Sequence, residues 1–341
     1  MPLGEAFFGS GPRIPAFLSI DVEPDGFQLS RSDPPKWLGY ESAIEFSEWL
    51  RSELSKRFDQ APKFGWYYRM DLQIAEVYGR PDYIVAKLGE HIDRLRQKGD
   101  YFGVHSHPVR WCDERNSWIH DFADASWNMR CTKFALEAYA DWYGTPAQRF
   151  RGGAGFLVNE IVDIVDQCGV KVDLTLEPVQ AWSSPSRVVP SGVDTSPYIG
   201  VHTDCLSAPP TAYRPSHHDF RVPTTTRGRD LIMVPMSTYS VTRRQNRLRR
   251  ILQRALPQQV RQKRRVLHLS EQWPRGASYW DLVAEQIRSM PRPYISVAVR
   301  TDAPGSAPVI NARKRFDALL QHPLSKRLHF VDPLDIAPAL I

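Results

Sequence analysis

Residues 17–25 read Phe-Leu-Ser-Ile-Asp-Val-Glu-Pro-Asp and decide the fold prediction. An apolar run ends in two carboxylates, Asp21 and Glu23, which are two residues apart. In an extended strand this spacing places both carboxylates on the same face, and the Pro-Asp-Gly that follows then ends the strand. The carboxyl end of a buried parallel strand is where barrel and open α/β enzymes hold reacting groups. Taken alone, the pattern also fits solvated acids at an ordinary turn.

Apolar runs alternate with segments of helical periodicity along the rest of the chain. Strands are predicted near residues 63–68, 101–105, 148–151, 170–174, 230–235, 294–299 and 328–331, and helices near 41–58, 82–98, 127–143, 159–168, 279–290 and 311–321. Such alternation favours a parallel sheet or barrel. We expect one domain over residues 1–341, with an irregular loop at 177–229 and a basic amphipathic helical insertion at 243–265.

The composition is that of a globular protein with a sizeable core. The 341 residues are 42% hydrophobic and 24% charged, and no run of 18 apolar residues predicts a transmembrane helix. The N-terminus has neither a basic start nor an apolar core, so no secretory signal is predicted. Four cysteines without CxxC spacing are expected to be reduced thiols. These features together predict a cytoplasmic protein.

Most of the chemically reactive side chains fall at or just beyond the carboxyl ends of predicted strands. In a parallel barrel those ends share one rim, so the side chains would face one another. One carboxylate with two imidazoles is a ligand set for Zn²⁺ or a similar ion that leaves a position open for water. A second carboxylate can take a proton from water, and an arginine can keep that carboxylate ionised. The residues at these strand ends are Asp21, Glu23, Arg69, Asp71, His105, His107, Arg151, Asp173 and Arg300.

In order and spacing these residues resemble the NodB-homology polysaccharide deacetylases, carbohydrate esterase family four. The family's motifs are a strand ending in two acids, then His-Ser/Thr with two residues before His-Pro, then Phe-Arg with a Gly-rich turn, then a further acid. This chain has Asp21-Val22-Glu23, His105-Ser106-His107-Pro108, Phe150 to Gly155, and Asp173. The resemblance covers about residues 16–331. It implies an α/β fold, a distorted (β/α)7-type barrel.

The resemblance also implies an activity, the metal-dependent removal of an N- or O-acyl group, usually acetyl, from a sugar in polysaccharide or glycan biosynthesis. It implies that Asp21 is the base and that Glu23, His105 and His107 bind the metal, for which Zn²⁺ is expected. Arg151 would orient the base, and Asp173 would occupy the later acidic position.

Substrate contacts are predicted for Arg69, Asp71 and Trp111. The alternatives are a structural ion pair between Arg69 and Asp71, and ordinary packing of the Trp111 ring.

The chain departs from the family pattern at two places. The paired histidines are i, i+2 instead of i, i+4, so both can reach one ion only if the segment is extended. Arg300 stands where the family has a general-acid histidine. Arginine cannot readily donate a proton because its pKa exceeds ~12, although it can stabilise an oxyanion or contact substrate. The candidate acids are Asp71, Asp302, His202 and His218.

The second departure leaves alternatives to the deacetylase prediction. One is a catalytically inactive barrel that binds a glycan or a membrane-associated partner. Another is hydrolysis of a different acyl amide, such as a formamide.

The expected partner is an acylated sugar or oligosaccharide. The basic helix at 243–265 can either dock on anionic lipid headgroups or pack on the barrel with a solvated basic face. Nucleic-acid binding is not expected, because no recognised fold or aromatic interleaving supports it.

Overall fold

The structure is a computed structural model of the chain. It describes residues 12–58, 61–179, 197–224, 228–241, 263–267, 269, 279–302 and 307–341. Most of the predicted basic helix at 243–265, and residues 180–196 of the predicted irregular loop, lie outside the described residues.

A parallel sheet forms the centre of the fold. The strands, in chain order, are β1 (Ile14–Val22), β2 (Gly65–Arg69), β3 (Tyr101–Ser106), β4 (Val109–Cys112), β5 (Ser117–Asp121), β6 (Arg149–Gly152), β7 (Val172–Asp173), β8 (Tyr198–Ile199), β9 (Ile232–Met233), β10 (Thr238–Val241), β11 (Lys263–Val266), β12 (Ile295–Arg300) and β13 (Leu328–Phe330). In the main sheet the order is β12-β1-β2-β3-β6-β7-β9, and β13 also pairs with β1. All of these pairings are parallel.

The two ends of this sheet approach each other beyond β9. The Ser237 backbone N–H donates to the carbonyl of Ser296 at 2.9 Å, and the Ser296 N–H donates to the Ser237 hydroxyl at 3.1 Å. The segment after β9 therefore meets β12, and the sheet curls into a distorted barrel. The fold class predicted from the sequence is confirmed.

Helices cover the outside of the sheet. They are α1 (Leu38–Phe58), α2 (Leu72–Tyr78), α3 (Tyr83–Lys87), α4 (Gly89–Gln97), α5 (Ala125–Tyr143), α6 (Asn159–Gln167), α7 (Tyr279–Ser289), α8 (Ala307–Gln321) and α9 (Pro333–Leu340). Strand β1, which has three hydrogen-bonded neighbours, is buried at every position except Pro15, as expected for a strand covered on both faces. None of the helices in the described ranges is both long and apolar enough to cross a membrane.

The structure differs from the sequence-based expectation in several elements. The helix predicted at 82–98 is two helices separated at Leu88. Helix α2 was not predicted; its N-cap is Asp71, whose carboxylate accepts from the N–H groups of Gln73 and Ile74. Residues 263–265, assigned to the basic helix, lie in β11, which pairs antiparallel with β10. The small sheet β4-β5-β8 was also missed, because its strands have only two to five residues and lack a longer apolar run.

The register of the main sheet brings the predicted site residues to one rim. Asp21 pairs with Arg300 across β1 and β12, and His105 pairs with both Arg69 and Arg151 across its neighbours. These positions are the last residues of their strands or lie next to them, so their side chains surround the carboxyl end of the barrel.

Candidate functional site

A cavity of about 300 Å³ opens at this rim. It is bounded by the ends of β1, β3, β6 and β12, and by the small sheet on one side. The sequence-predicted residues that line it are Asp21, Glu23, His105, His107, Arg151 and Arg300.

Glu23, His105 and His107 converge within this cavity. Their candidate ligand atoms all lie within 4.8 Å of one another. The Nε2 atom of His107 is 3.0 Å from Glu23 Oε2 and 2.9 Å from His105 Nε2, and His105 Nε2 is 3.6 Å from Glu23 Oε1. All three residues are buried. His105 lies on β3 and His107 comes directly after its last residue, Ser106, and both rings reach one point despite the shortened i, i+2 spacing.

The hydrogen bond on the far side of His105 fixes its tautomer. Its Nδ1 lies 2.7 Å from the backbone carbonyl of Arg151, which can only accept. The proton of the neutral ring is therefore on Nδ1, and Nε2 presents a lone pair to the point shared with Glu23 and His107. A metal-binding histidine needs this arrangement.

The donor set fits a divalent cation. A tetrahedral ion with bonds of about 2.0–2.1 Å holds its ligand atoms about 3.3 Å apart, and the three distances here lie around that value. Among the described residues, the carboxylates of Asp21, Glu23, Glu177 and Asp302 line the cavity together with the guanidinium groups of Arg151 and Arg300.

The protonation states of Glu23 and His107 favour the same conclusion, whereas a bound ion would have to displace a proton from His105. Burial, partly offset by Glu23, lowers the pKa of His107 to about 4, so this ring is neutral at neutral pH. Burial opposes ionisation of Glu23, but His107 and His105 outweigh it and hold the pKa of that carboxyl well below its usual range. For His105, burial acts to lower the pKa, and the carboxylates of Asp21 and Glu23 raise it above its ordinary value.

Asp21 lies in the same cavity, held by Arg151. The Nε of Arg151 donates to the two carboxylate oxygens at 2.7 and 3.0 Å, and its Nη1 donates to the carbonyl of Leu174 at 2.7 Å. Both side chains are buried. The guanidinium is anchored by the backbone, so it fixes the position of a carboxylate adjacent to the donor set.

The Gly-rich turn after β6 makes room for His107. A Cβ at Gly153 would lie closer than 3.0 Å to Cγ, Cδ2 and Nε2 of the His107 ring. The next residue, Ala154, has φ of 56°, in the left-handed region that non-glycine residues rarely adopt. Such local strain is common at functional sites.

Arg69 and Asp71 lie behind Glu23 and are not among the residues that line the cavity. Arg69 Nε donates to Asp71 Oδ2 at 2.7 Å, and Arg69 Nη1 is 3.6 Å from Glu23 Oε2. The same Asp71 oxygen accepts from the His107 backbone N–H at 3.0 Å. This buried pair joins the backbone of one candidate ligand to the side chain of another.

Asp173 and Trp111 are also away from the cavity lining. Asp173 is fully buried on β7, and burial raises its pKa to about 6. One of its oxygens accepts from the Thr175 N–H at 2.6 Å, and the other has no hydrogen-bond partner among the described residues. Trp111 lines a separate surface groove with Arg31, whose guanidinium carbon is 4.9 Å from the ring centroid.

Arg300 and Asp302 form a two-pronged ion pair at the cavity mouth. Arg300 Nη2 donates to Asp302 Oδ2 at 2.6 Å and its Nε donates to Oδ1 at 3.1 Å. Burial and the nearby Glu23 raise the pKa of Asp302. Of the four candidate acids named from the sequence, Asp302 is the one that lines the cavity within the described structure.

Several site residues were missed from the sequence. Thr301 accepts from the Glu23 N–H and donates to the Glu23 carbonyl, both at 2.8 Å, and so fixes the backbone of this ligand. His120, on β5, contacts His107, and Phe27, Tyr198 and Glu177 complete the wall. Thr301 follows a predicted strand, and that position could have indicated it. His120 had no such signal, because β5 was not predicted.

No protein-family model matches the chain, and no curated protein matches its sequence. Several solved structures similar to this fold are described as polysaccharide deacetylases. A provisionally assigned polysaccharide deacetylase from Mycobacterium smegmatis is 10% identical with a TM-score of 0.45, over 97% of this chain and 91% of that one. A provisionally assigned glycoside hydrolase/deacetylase from Parabacteroides distasonis is 12% identical with a TM-score of 0.49, over 94% and 69%.

A 4-alpha-glucanotransferase from Thermococcus litoralis is 11% identical with a TM-score of 0.45, over 96% of this chain and 40% of that one. The solved structures similar to this fold therefore include proteins described as deacetylases, as the sequence resemblance predicted, and also a glucanotransferase.

Proposed function

We propose that this protein is a metal-dependent hydrolase that removes an N-acyl group, acetyl in the first instance, from a sugar. The observation that supports this most strongly is the buried set of Glu23, His105 and His107, with a separate carboxylate, Asp21, in the same cavity. A bound Zn²⁺ would supply Lewis acidity toward water and toward the acyl oxygen. The sugar-deacetylase identity itself comes from the family resemblance.

In this proposal the protein's own groups handle the protons. Asp21 takes a proton from the water that attacks the acyl carbon, and Arg151 keeps the carboxylate oriented through its bonds at 2.7 and 3.0 Å. The carbon–nitrogen bond breaks, and the amine nitrogen needs a proton to leave. We assign that proton to Asp302, which lines the cavity and whose pKa is raised; on protonation its carboxyl would give up one of its two hydrogen bonds with Arg300. Asp173 would not contact the substrate; it would act through the electrostatic interaction of its carboxyl with Arg151.

Substrate contacts are assigned by position. Arg300 is half exposed at the cavity mouth, where its guanidinium can contact a sugar hydroxyl or the developing oxyanion. Trp111 offers a partly exposed ring in the neighbouring groove, where a further sugar of an oligosaccharide can stack. Arg69 and Asp71 would support Glu23 and His107 rather than touch the sugar.

Acetate and formate release from a panel of N-acylated sugars, with and without added Zn²⁺ or Co²⁺, tests the function. We expect metal-dependent acetate release that Asp21→Asn abolishes while the bound metal is retained. Asp33→Asn, at an exposed loop position, is the matched control and should leave the rate unchanged. If formate is released in place of acetate, the acyl group that the enzyme removes would be formyl instead of acetyl.

The presence of Arg300 in place of a histidine favours one second candidate, a barrel that binds glycans without turnover. Glycan binding with no acyl release from any sugar would support that candidate and refute the hydrolase.

A further inference from the structure

The cavity contains a third histidine, outside the ligand set, in direct contact with it. The Nδ1 atom of His107 lies 2.8 Å from the Nε2 atom of His120, and both rings are buried. Metal-binding histidines usually donate their second N–H to a carboxylate, a carbonyl or water. His105 follows this rule through the Arg151 carbonyl. For His107, the corresponding partner is another imidazole.

The contact allows two arrangements of protons, and only one permits metal binding. If His120 donates, the neutral His107 ring carries its proton on Nε2, the atom that faces Glu23 Oε2 at 3.0 Å and would have to bind the ion. A proton on His107 Nε2 also suits the 2.9 Å contact with His105 Nε2, which presents a lone pair. A bound ion takes the place of that proton, and His107 must then donate from Nδ1 so that its Nε2 lone pair is free. His120 must then accept at Nε2 and hold its own proton on Nδ1.

Neighbouring aromatic rings hold His120 in this position. Its ring stacks on Phe27 at 4.6 Å between centroids and 4° between planes, and on Tyr198 at 5.4 Å and 15°. Its backbone N–H donates to the Pro197 carbonyl at 2.9 Å. The imidazole therefore cannot easily turn away from His107.

A purely packing role does not explain this histidine. Its Nδ1 is buried and has no hydrogen-bond partner among the described residues. A phenylalanine would fill the same aromatic stack without burying an unpaired polar atom, which is unfavourable. The feature that phenylalanine lacks is the acceptor nitrogen that contacts His107.

We propose that His120 is a positioning residue for the metal site, and that with an ion bound it holds the tautomer of His107 by accepting the hydrogen bond from its Nδ1–H. This inference rests on the proposed metal-dependent function. It adds a residue that does not bind the ion itself but determines how tightly His107 binds it.

The test compares three variants. His120→Phe keeps the aromatic stack and removes the acceptor, His120→Gln keeps an acceptor at a similar reach, and His329→Phe on β13 is the control at a position away from the cavity. Zn²⁺ dissociation constants are measured by competition with a chromogenic chelator, and thermal unfolding of the metal-free proteins is measured alongside. We expect His120→Phe to weaken Zn²⁺ binding by about 10–100-fold. We expect His120→Gln to recover most of the affinity and the control to match the wild type.

A second readout needs no variant. In ¹⁵N spectra of the Zn²⁺-loaded wild type, we expect the ring protons of His107 and His120 on Nδ1. Protonation of His120 at Nε2 in that state would overturn the proposal. So would wild-type affinity in His120→Phe, or a loss of affinity that follows a loss of thermal stability. A wild type that binds no divalent ion would refute the proposed function, whereas a failure confined to the His120 variants would refute only this inference.

Discussion

Substitution of Gly153 by alanine is a sharp perturbation of the candidate metal centre, because it changes no charge and removes no ligand. The added Cβ would lie closer than 3.0 Å to three atoms of the His107 ring, whereas ordinary contacts begin at 3.4 Å. The ring must retreat by at least about 0.4 Å unless the turn gives way. Metal–ligand distances tolerate roughly 0.2 Å. We therefore expect His107 to be lost as a ligand, with Zn²⁺ affinity reduced by about 100-fold or more.

Zn²⁺ affinity of Gly153→Ala is measured by chelator competition, with Gly89→Ala as the control. An added Cβ at Gly89 meets no atom within 4 Å, so this variant should bind as the wild type does. A double-mutant cycle with His107→Ala tests the cause. If alanine at position 153 acts through His107, it should have no further effect once that ring is gone. Wild-type affinity in Gly153→Ala, or an undiminished effect in the His107→Ala background, would refute the reasoning.

Two further predictions concern the same centre. Because the pKa of His105 is raised and metal must displace its proton, apparent Zn²⁺ affinity should rise about tenfold per pH unit below that pKa and level off above it. His107, with a pKa of about 4, should add a second slope only in strong acid, and titrations that show a flat affinity from pH 5 to 8 would contradict this. Thr301→Val should destabilise the fold by about 1–3 kcal/mol in urea, because the buried Glu23 N–H loses its acceptor, and should also weaken Zn²⁺ binding. Ser42→Ala, which removes a solvent-exposed hydroxyl hydrogen bond on α1, is the control; equal stability of the two variants would argue against the role of Thr301.

The sequence predicted the parallel barrel because its central strands are long and apolar. Strand β1, which leads to Asp21, is buried on both faces, and in the sequence this burial shows as a run of mostly apolar residues before Asp21. The weaker predictions concern short elements. The strands at Val172–Asp173 and Ile232–Met233 have two residues each, and their lengths depend on neighbouring strands rather than on their own residues.

The site was predictable where strand ends carry reactive residues and unpredictable where loops fold back over them. Asp21, Glu23, His105 and His107 could be placed together because parallel strands end at one rim. His120 comes to the site through a small mixed sheet with no clear apolar period, and sequence periodicity gives no information about such tertiary contacts. The i, i+2 spacing was ambiguous in the sequence, and the approach of both rings to Glu23 resolves it.

The central claim is that Glu23, His105 and His107 hold one divalent ion. The most direct measurement is the metal content of protein purified without chelator, for the wild type and for His105→Ala, with the exposed His217→Ala as the matched control. We predict about one Zn²⁺ or similar ion per chain in the wild type and the control, and almost none in His105→Ala. Stoichiometric metal in His105→Ala, or a wild type that takes up no divalent ion even when it is supplied, would contradict the account.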